Sequence, residues 1–490
     1  MLFNSYEFIF LFLPVALLVY YFLNQMRLTV GANAWLLFVS LFFYSWWNIT
    51  YLPLILVSIL FNYTIGGLLS DSDSLKKQLI SKKTIFVFGL TANIAFLCYF
   101  KYMDFFIGNI NSLVGANLPL LHIVLPLGIS FFTITQIAFL VDAYEGLVED
   151  KNLLSYALFV TFFPHLLAGP ILHHKEMMPQ FGNVRNKVLN YKNLSLGLFL
   201  FFIGLFKKVI IADQLSTTVK VGFDMAKTLN FFEAWITSLS YTCQLYFDFS
   251  GYTDMAIGVG LMFNIVLPRN FNSPYKSTNV IEFWRRWHMS LSNFITTYLY
   301  TPILRSFGKI TFRNSLIAIF LAMLISGFWH GAGWTFIVWG GMHGAALVVN
   351  HLWRKRKKKL PTWAGWLITF NFINLAFVFF RAKDWNGAAK VVKGMFGFSG
   401  FLPGSVRDVF TPLMVFQSKF GKSVLEGIGG RNETFWGLLI ILVCVLMFKN
   451  SHEIADRFRP SRLTYAFLVL ISFYTLLNMG KVSEFLYFQF

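Results

Sequence analysis

Cysteine and negative charge are both scarce in this chain. Cys98, Cys243 and Cys444 are the only three cysteines in 490 residues. Each stands alone in apolar surroundings, which supplies neither a disulfide framework nor a cysteine metal cluster. Asp and Glu number 22 against 41 Lys and Arg, and the charged types together make only 13% of the chain. Soluble domains carry about a quarter charged residues, so an ordinary water-facing surface is excluded. A Gly-rich loop ending in Lys-Ser or Lys-Thr is absent, and with it the phosphate cradle of ATP-driven transport. So is the Gly-x-Ser-x-Gly elbow of serine hydrolases. The opening Met1 to Glu7 has no basic stretch, and no small-residue cleavage signal follows, so the first apolar run is expected to stay as a membrane span.

What is abundant is apolar. Hydrophobic residues make 56% of the chain and aromatics 19%, with 59 Phe, and mean hydropathy is +0.60. That composition belongs to an all-α, polytopic integral membrane protein. Runs of about 20 apolar residues cross the hydrocarbon. By that template spans fall near 7–24, 33–47, 52–70, 84–100, 119–144, 152–171, 194–213, 231–247, 312–328, 333–352, 361–380, 434–449 and 463–480. Allowing for segments that do not cross, roughly eleven to thirteen membrane helices are expected in one integral domain over 1–490. Within 119–144, Leu125-Pro-Leu-Gly128 predicts a broken or re-entrant helix. A long mixed loop covers 381–432.

The net charge of +19 gathers between the apolar spans, as cytoplasmic loops require. Lys76, Lys77, Lys82 and Lys83 put one loop inside and the N-terminus outside, and Arg354 through Lys359 form the strongest cytoplasmic stop. Nucleic acid is not an expected partner. Some of this charge suits an anionic cytoplasmic substrate such as a nucleotide-bearing acyl donor.

Polar groups at membrane depth are costly and point to function. His330 interrupts an apolar run within Gly327-Phe-Trp-His-Gly-Ala-Gly333. It reads either as a hydrogen-bonded bundle histidine or as a general base, since burial keeps an imidazole neutral. His288 lies on the flank of an amphipathic helix over 279–298, expected at the interface or as a re-entrant. There Asn279 caps, Glu282 completes a capping box, and Arg285 and Arg286 mark the polar face. Asp248 and Asp254 sit in Asp248-Phe-Ser-Gly-Tyr-Thr-Asp254 with Ser250 and Tyr252, and compensation by Arg269, Arg285 or Arg286 is expected. His165, His173 and His174, with Glu176 as the nearby carboxylate, do not complete a metal set, so no metal is expected.

These residues also carry a resemblance. Leu125 to Phe132, Ala168-Gly-Pro-Ile171, Tyr246 to Gly258, Arg269 to Tyr275, Trp287-His-Met-Ser-Leu-Ser292 and Phe328-Trp-His-Gly331 are similar to a bacterial membrane-bound O-acyltransferase. The type is that of the alginate O-acetyltransferase membrane subunit, related to the teichoic acid D-alanyltransferase. The resemblance extends to about residue 353, with the core around 120–353. It implies a ring of tilted helices around a funnel, with His330 and His288 as catalytic residues. Asp248, Ser250, Tyr252, Asp254, Arg285, Trp287, Ser290, Asn293 and Trp329 are candidates to line or support that funnel. It further implies acetyl-CoA or another acyl thioester as donor, no permanently bound cofactor, a periplasmic acetyltransferase partner, an envelope polysaccharide such as alginate as acceptor, and a place in the inner membrane. D-alanyl or lipid-hydroxyl transfer remains open. So does a channel or transporter, although no repeated pair of broken helices supports one.

Overall fold

A computed structural model describes residues 1–71, 81–401, 428, 432–480 and 485–486, and every regular element among them is helical. Helices satisfy each backbone N–H and C=O within the segment, the condition for long apolar runs in lipid. In chain order, α1 is Phe8–Gln25, α2 Thr29–Ser45, α3 Ile49–Ser70, α4 Lys82–Val114, α5 Ile129–Tyr144, α6 Leu153–Thr161, α7 His174–Gly182, α8 Tyr191–Met225 and α9 Phe231–Met262. Then follow α10 Val280–Trp284, α11 Met289–Phe294, α12 Phe312–His330, α13 Trp334–Lys355, α14 Thr362–Arg381, α15 Trp385–Met395, α16 Asn432–Met447 and α17 Arg462–Leu477. Six of them, α1, α3, α4, α8, α12 and α14, are long and apolar enough to cross a membrane, and α2, α5, α16 and α17 are apolar but shorter. α9 and α13 are also long, at 32 and 22 residues, but are not among the helices apolar enough to cross by that measure. Lys76 and Lys77 lie outside the described residues, as does most of the second half of the 381–432 loop.

The chain divides into two compact units: Met1–Leu205 with Tyr252–Arg269 and Phe458–Phe490, and Phe206–Gly251 with Asn270–Arg457. Within the first, buried amides tie the helices. Asn62 of α3 and Asn93 of α4 exchange hydrogen bonds of 3.1 and 2.7 Å. Gln136 of α5 donates to Ser58 Oγ at 2.9 Å and accepts from the Tyr156 hydroxyl at 3.2 Å. Such side-chain bonds add specificity where apolar contact alone gives none. The expected span over 152–171 does not form. The chain makes α6, of nine residues, and a four-residue turn at Phe163–Leu166. Nine residues rise only about 14 Å. Its apolar character comes from burial inside protein, since Tyr156 through Leu172 are nearly all buried. The break foreseen at Leu125–Gly128 does occur: α5 begins only after Gly128, whose φ of 71° is left-handed.

In the second unit, α12 and α13 pack closely where Gly327 meets Gly340. A Cβ on Gly327 would lie 2.5 Å from the Phe336 carbonyl and 2.8 Å from Gly340 Cα; one on Gly340 would lie 2.6 Å from the Met323 carbonyl. Only glycine permits that approach. α9 starts with a full capping box, Asn230 Oδ1 accepting the Glu233 N–H at 3.0 Å and Glu233 Oε2 the Asn230 N–H at 2.9 Å. It does not stop at the polar cluster near 247 but runs unbroken through Gly251 to Met262. Along it Asp248 is paired by Lys208 at 2.6 Å, while the buried Ser250 and Thr253 hydroxyls meet no partner among the described residues.

Candidate active site

The segment around His288 is folded about Asn270, a fully buried side chain. Its Oδ1 accepts from the Ser290 N–H at 3.1 Å, the Ser290 hydroxyl at 2.6 Å and His288 Nδ1 at 3.3 Å. Its backbone carbonyl accepts the Met289 N–H at 3.0 Å. An amide oxygen can only accept, so His288 carries its proton on Nδ1 and presents a lone pair at Nε2. These bonds hold His288 at a left-handed φ of 42°, which costs a non-glycine residue about 1–3 kcal/mol. His288 stands outside the candidate spans, and burial pulls its pKa down to about 3, so the ring is neutral at pH 7.

The expected single helix over 279–298 therefore breaks in two. α10 ends at Trp284, the chain turns, and α11 restarts after His288. The capping box is shifted: Asn279 Oδ1 does accept the Glu282 N–H at 3.0 Å, but the Glu282 carboxylate takes the Thr278 N–H at 3.0 Å and hydroxyl at 2.9 Å. Burial works against its ionised form, and these bonds outweigh it, leaving the carboxyl below its ordinary value.

His330 ends α12 and is buried, with 5% exposed. Trp329, Trp339 and Phe380 surround it at ring-centroid distances of 4.9, 5.0 and 5.3 Å. Trp339 also meets His343 at 4.8 Å. His343, like His330, is an imidazole inside an apolar run, so the same sequence signal marks it. The Trp284 indole N–H donates to its Nδ1 at 3.2 Å. Indole only donates, so the His343 proton sits on Nε2. That fully buried N–H meets no partner among the described residues. A run of rings joins the two nominated histidines: His288 to Phe249 (4.7 Å), Phe271 (5.1 Å), Trp287 (5.1 Å), Phe377 (5.3 Å), Phe380 (6.4 Å) and His330 (5.3 Å).

The other nominated residues separate. Trp287, Ser290 and Trp329 are in these contacts, and Ser250 is buried on α9. Asn293 is exposed, and Arg285 is exposed on the wall of a cavity it shares with Arg354, Lys358 and Lys359. Tyr252 and Asp254 belong to the first unit, where Tyr252 stacks on Phe3 at 5.0 Å. Asp248 is compensated by a cation other than Arg285 or Arg286. Lys208 Nζ bonds it at 2.6 Å and Asp213 at 2.9 Å, while Arg286 pairs with Glu282 at 2.9 Å. Lys208 lies forty positions upstream of Asp248, beyond the reach of a local pattern.

In the first unit, Asp142 supplies the carboxylate that His173 and His174 lacked in sequence. Its Oδ2 lies 3.1 Å from His173 Nε2 and 3.0 Å from His174 Nδ1, and the three ligand atoms fall within 4.8 Å of one another. His173 Nδ1 accepts the Lys175 N–H at 3.3 Å, so the proton of that ring is on Nε2 and points at the carboxylate. The trio is thus arranged as two N–H donors on one anion.

A family model described as "MBOAT, membrane-bound O-acyltransferase family" matches residues 17–383. The chain belongs to the membrane-bound O-acyltransferase family. This acyltransferase is 44% identical to "Peptidoglycan O-acetyltransferase" of Helicobacter pylori, an alignment covering 100% of this chain and 98% of that protein. It is 37% identical to "Probable alginate O-acetylase AlgI" of Pseudomonas aeruginosa over 81% of this chain and 75% of that protein. It is 30% identical to "Teichoic acid D-alanyltransferase" of Bacillus subtilis over 53% of this chain and 69% of that protein. The enzyme is an O-acyltransferase with an all-α, multi-pass membrane fold, and a channel is no longer the competing account.

Proposed function

We propose that this acyltransferase moves acetyl groups from a cytoplasmic thioester, acetyl-CoA, across a bacterial inner membrane for O-acetylation of peptidoglycan. The residue that carries the reading is His330, a buried imidazole ending an apolar helix inside a box of three aromatic rings. Peptidoglycan is favoured over alginate as acceptor because the relative named for it aligns end to end at the higher identity.

In the proposed step a hydroxyl oxygen attacks the acetyl carbonyl. The new C–O bond forms, the C–S bond breaks, the hydroxyl proton passes to His330, and the thiolate leaves to be protonated as free thiol. His330 then passes that proton to the departing thiolate, while His288, held neutral beside Asn270, keeps the segment carrying Trp287 and Ser290 in place. The hydroxyl belongs to a periplasmic transferase that passes the acetyl group to the glycan, or to the glycan itself. The basic run Arg354 to Lys359 faces the cytoplasm and the N-terminus the periplasm, by the positive-inside bias.

The test is transfer of radiolabel from acetyl-CoA by membranes bearing the enzyme, supplied with a periplasmic fraction and with peptidoglycan or alginate. Label in peptidoglycan is expected. Label in alginate alone would replace the acceptor, and D-alanine incorporation in place of acetate would overturn the donor.

A further inference from the structure

At the C-terminal end of α13 and the N-terminal end of α14 lies a cavity of about 620 Å³, with Arg285, Arg354, Lys358 and Lys359 in its wall. The one acid lining it, Glu282, is already engaged by Thr278 and Arg286. None of the four cations makes an ion pair among the described residues. Four like charges around one recess repel one another and favour an anion between them. α14, of 20 residues, opens into the same recess at Thr362 with no side-chain cap. The positive end of its dipole therefore lies beside the cavity. Arginine and lysine beside an uncapped helix start are the donor set that phosphate oxygens take. We propose that this cavity is a binding site for a phosphate-bearing anion.

Two sources supply that chemistry. From Trp339, beside His330, to Asn350, in the cavity wall, α13 rises about 16 Å. A nucleotide thioester with its phosphates in the cavity would extend a long arm over that distance. Alternatively, the exposed Trp353, Leu360 and Trp363 beside the recess suit the headgroup depth of a bilayer, where an anionic lipid would present its phosphodiester. The site itself does not depend on the role given to His330.

The test uses the full chain in phosphatidylcholine nanodiscs. CoA is titrated in one arm, and retention of added phosphatidylglycerol is read by native mass spectrometry in the other. The Lys358→Gln/Lys359→Gln variant is expected to weaken one or both ligands by at least about tenfold, with Lys358→Arg/Lys359→Arg restoring binding. Arg356→Gln/Lys357→Gln removes the same charge from exposed residues outside the cavity and is expected to bind as wild type. Loss of CoA assigns the nucleotide source and loss of the lipid assigns the headgroup. Unchanged binding of both ligands by the Lys358→Gln/Lys359→Gln variant, or equal weakening by the control pair, overturns the site. His330→Ala is expected to bind both ligands normally, so failure here is distinguishable from failure of the catalytic reading.

Discussion

A neutral His288 must be kept neutral, and that gives a pH signature. Its folded pKa of about 3 lies below the unfolded value of about 6.5. Between those values the unfolded chain binds the extra proton, so the contribution of His288 is intact above about pH 6.5 and is lost as pH falls toward 3. The melting temperature of the wild type is expected to drop from pH 7 to 5 more steeply than that of His288→Gln. Parallel curves would show that the ring is not held neutral. Asn270→Ala removes the acceptor of three hydrogen bonds and is expected to cost about 1–3 kcal/mol, read as a lower melting temperature together with reduced acyl transfer. Asn270→Asp places an anion on Nδ1 and should raise the pH below which activity is lost. Neither Asn270 nor the Trp284–His343 bond was legible in sequence, because each depends on residues 18 or more positions apart being folded onto one another.

At the scale of elements, the crossing of α12 and α13 positions His330, and it rests on two glycines. Gly327→Val or Gly340→Val is expected to destabilise by about 1–3 kcal/mol through overpacking and to reduce activity. Gly341→Ala, whose Cβ would find its nearest neighbour at 3.8 Å, should be tolerated in the same melting assay. Lys208→Met leaves the buried Asp248 and the part-exposed Asp213 beside an apolar chain, with an expected loss of about 3–5 kcal/mol. The Lys208→Met/Asp248→Leu pair should recover part of it. Apolar runs announced α12, α13 and α14 within a few residues, since length and hydropathy alone dictate such helices. They misplaced the run at 152–171, where the same composition serves burial in protein, and the end of α9, where Asp248 is paired by Lys208. The split of 279–298 into α10 and α11 was hidden because nothing in the periodicity announces a left-handed residue at His288.

For the whole molecule, the long apolar spans, the two histidines and the family were visible in sequence, since each is carried by composition or by a contiguous motif. The pairing of Lys208 with Asp248 and of Asp142 with His173 and His174 was not, because ion pairs across a fold leave no local spacing. The two units carry different parts of this: the imidazoles, the aromatic rings between them and the basic cavity are in the second, and the Asp142 trio is in the first. The most direct measurement is acetyl-CoA turnover by purified enzyme with periplasmic fraction and peptidoglycan, reading free thiol and labelled glycan together, for wild type beside His330→Ala at matched melting temperature. Turnover by the wild type with loss of at least about a hundredfold in the variant is the predicted result; a folded His330→Ala enzyme that transfers acetyl groups at the wild-type rate would contradict the account.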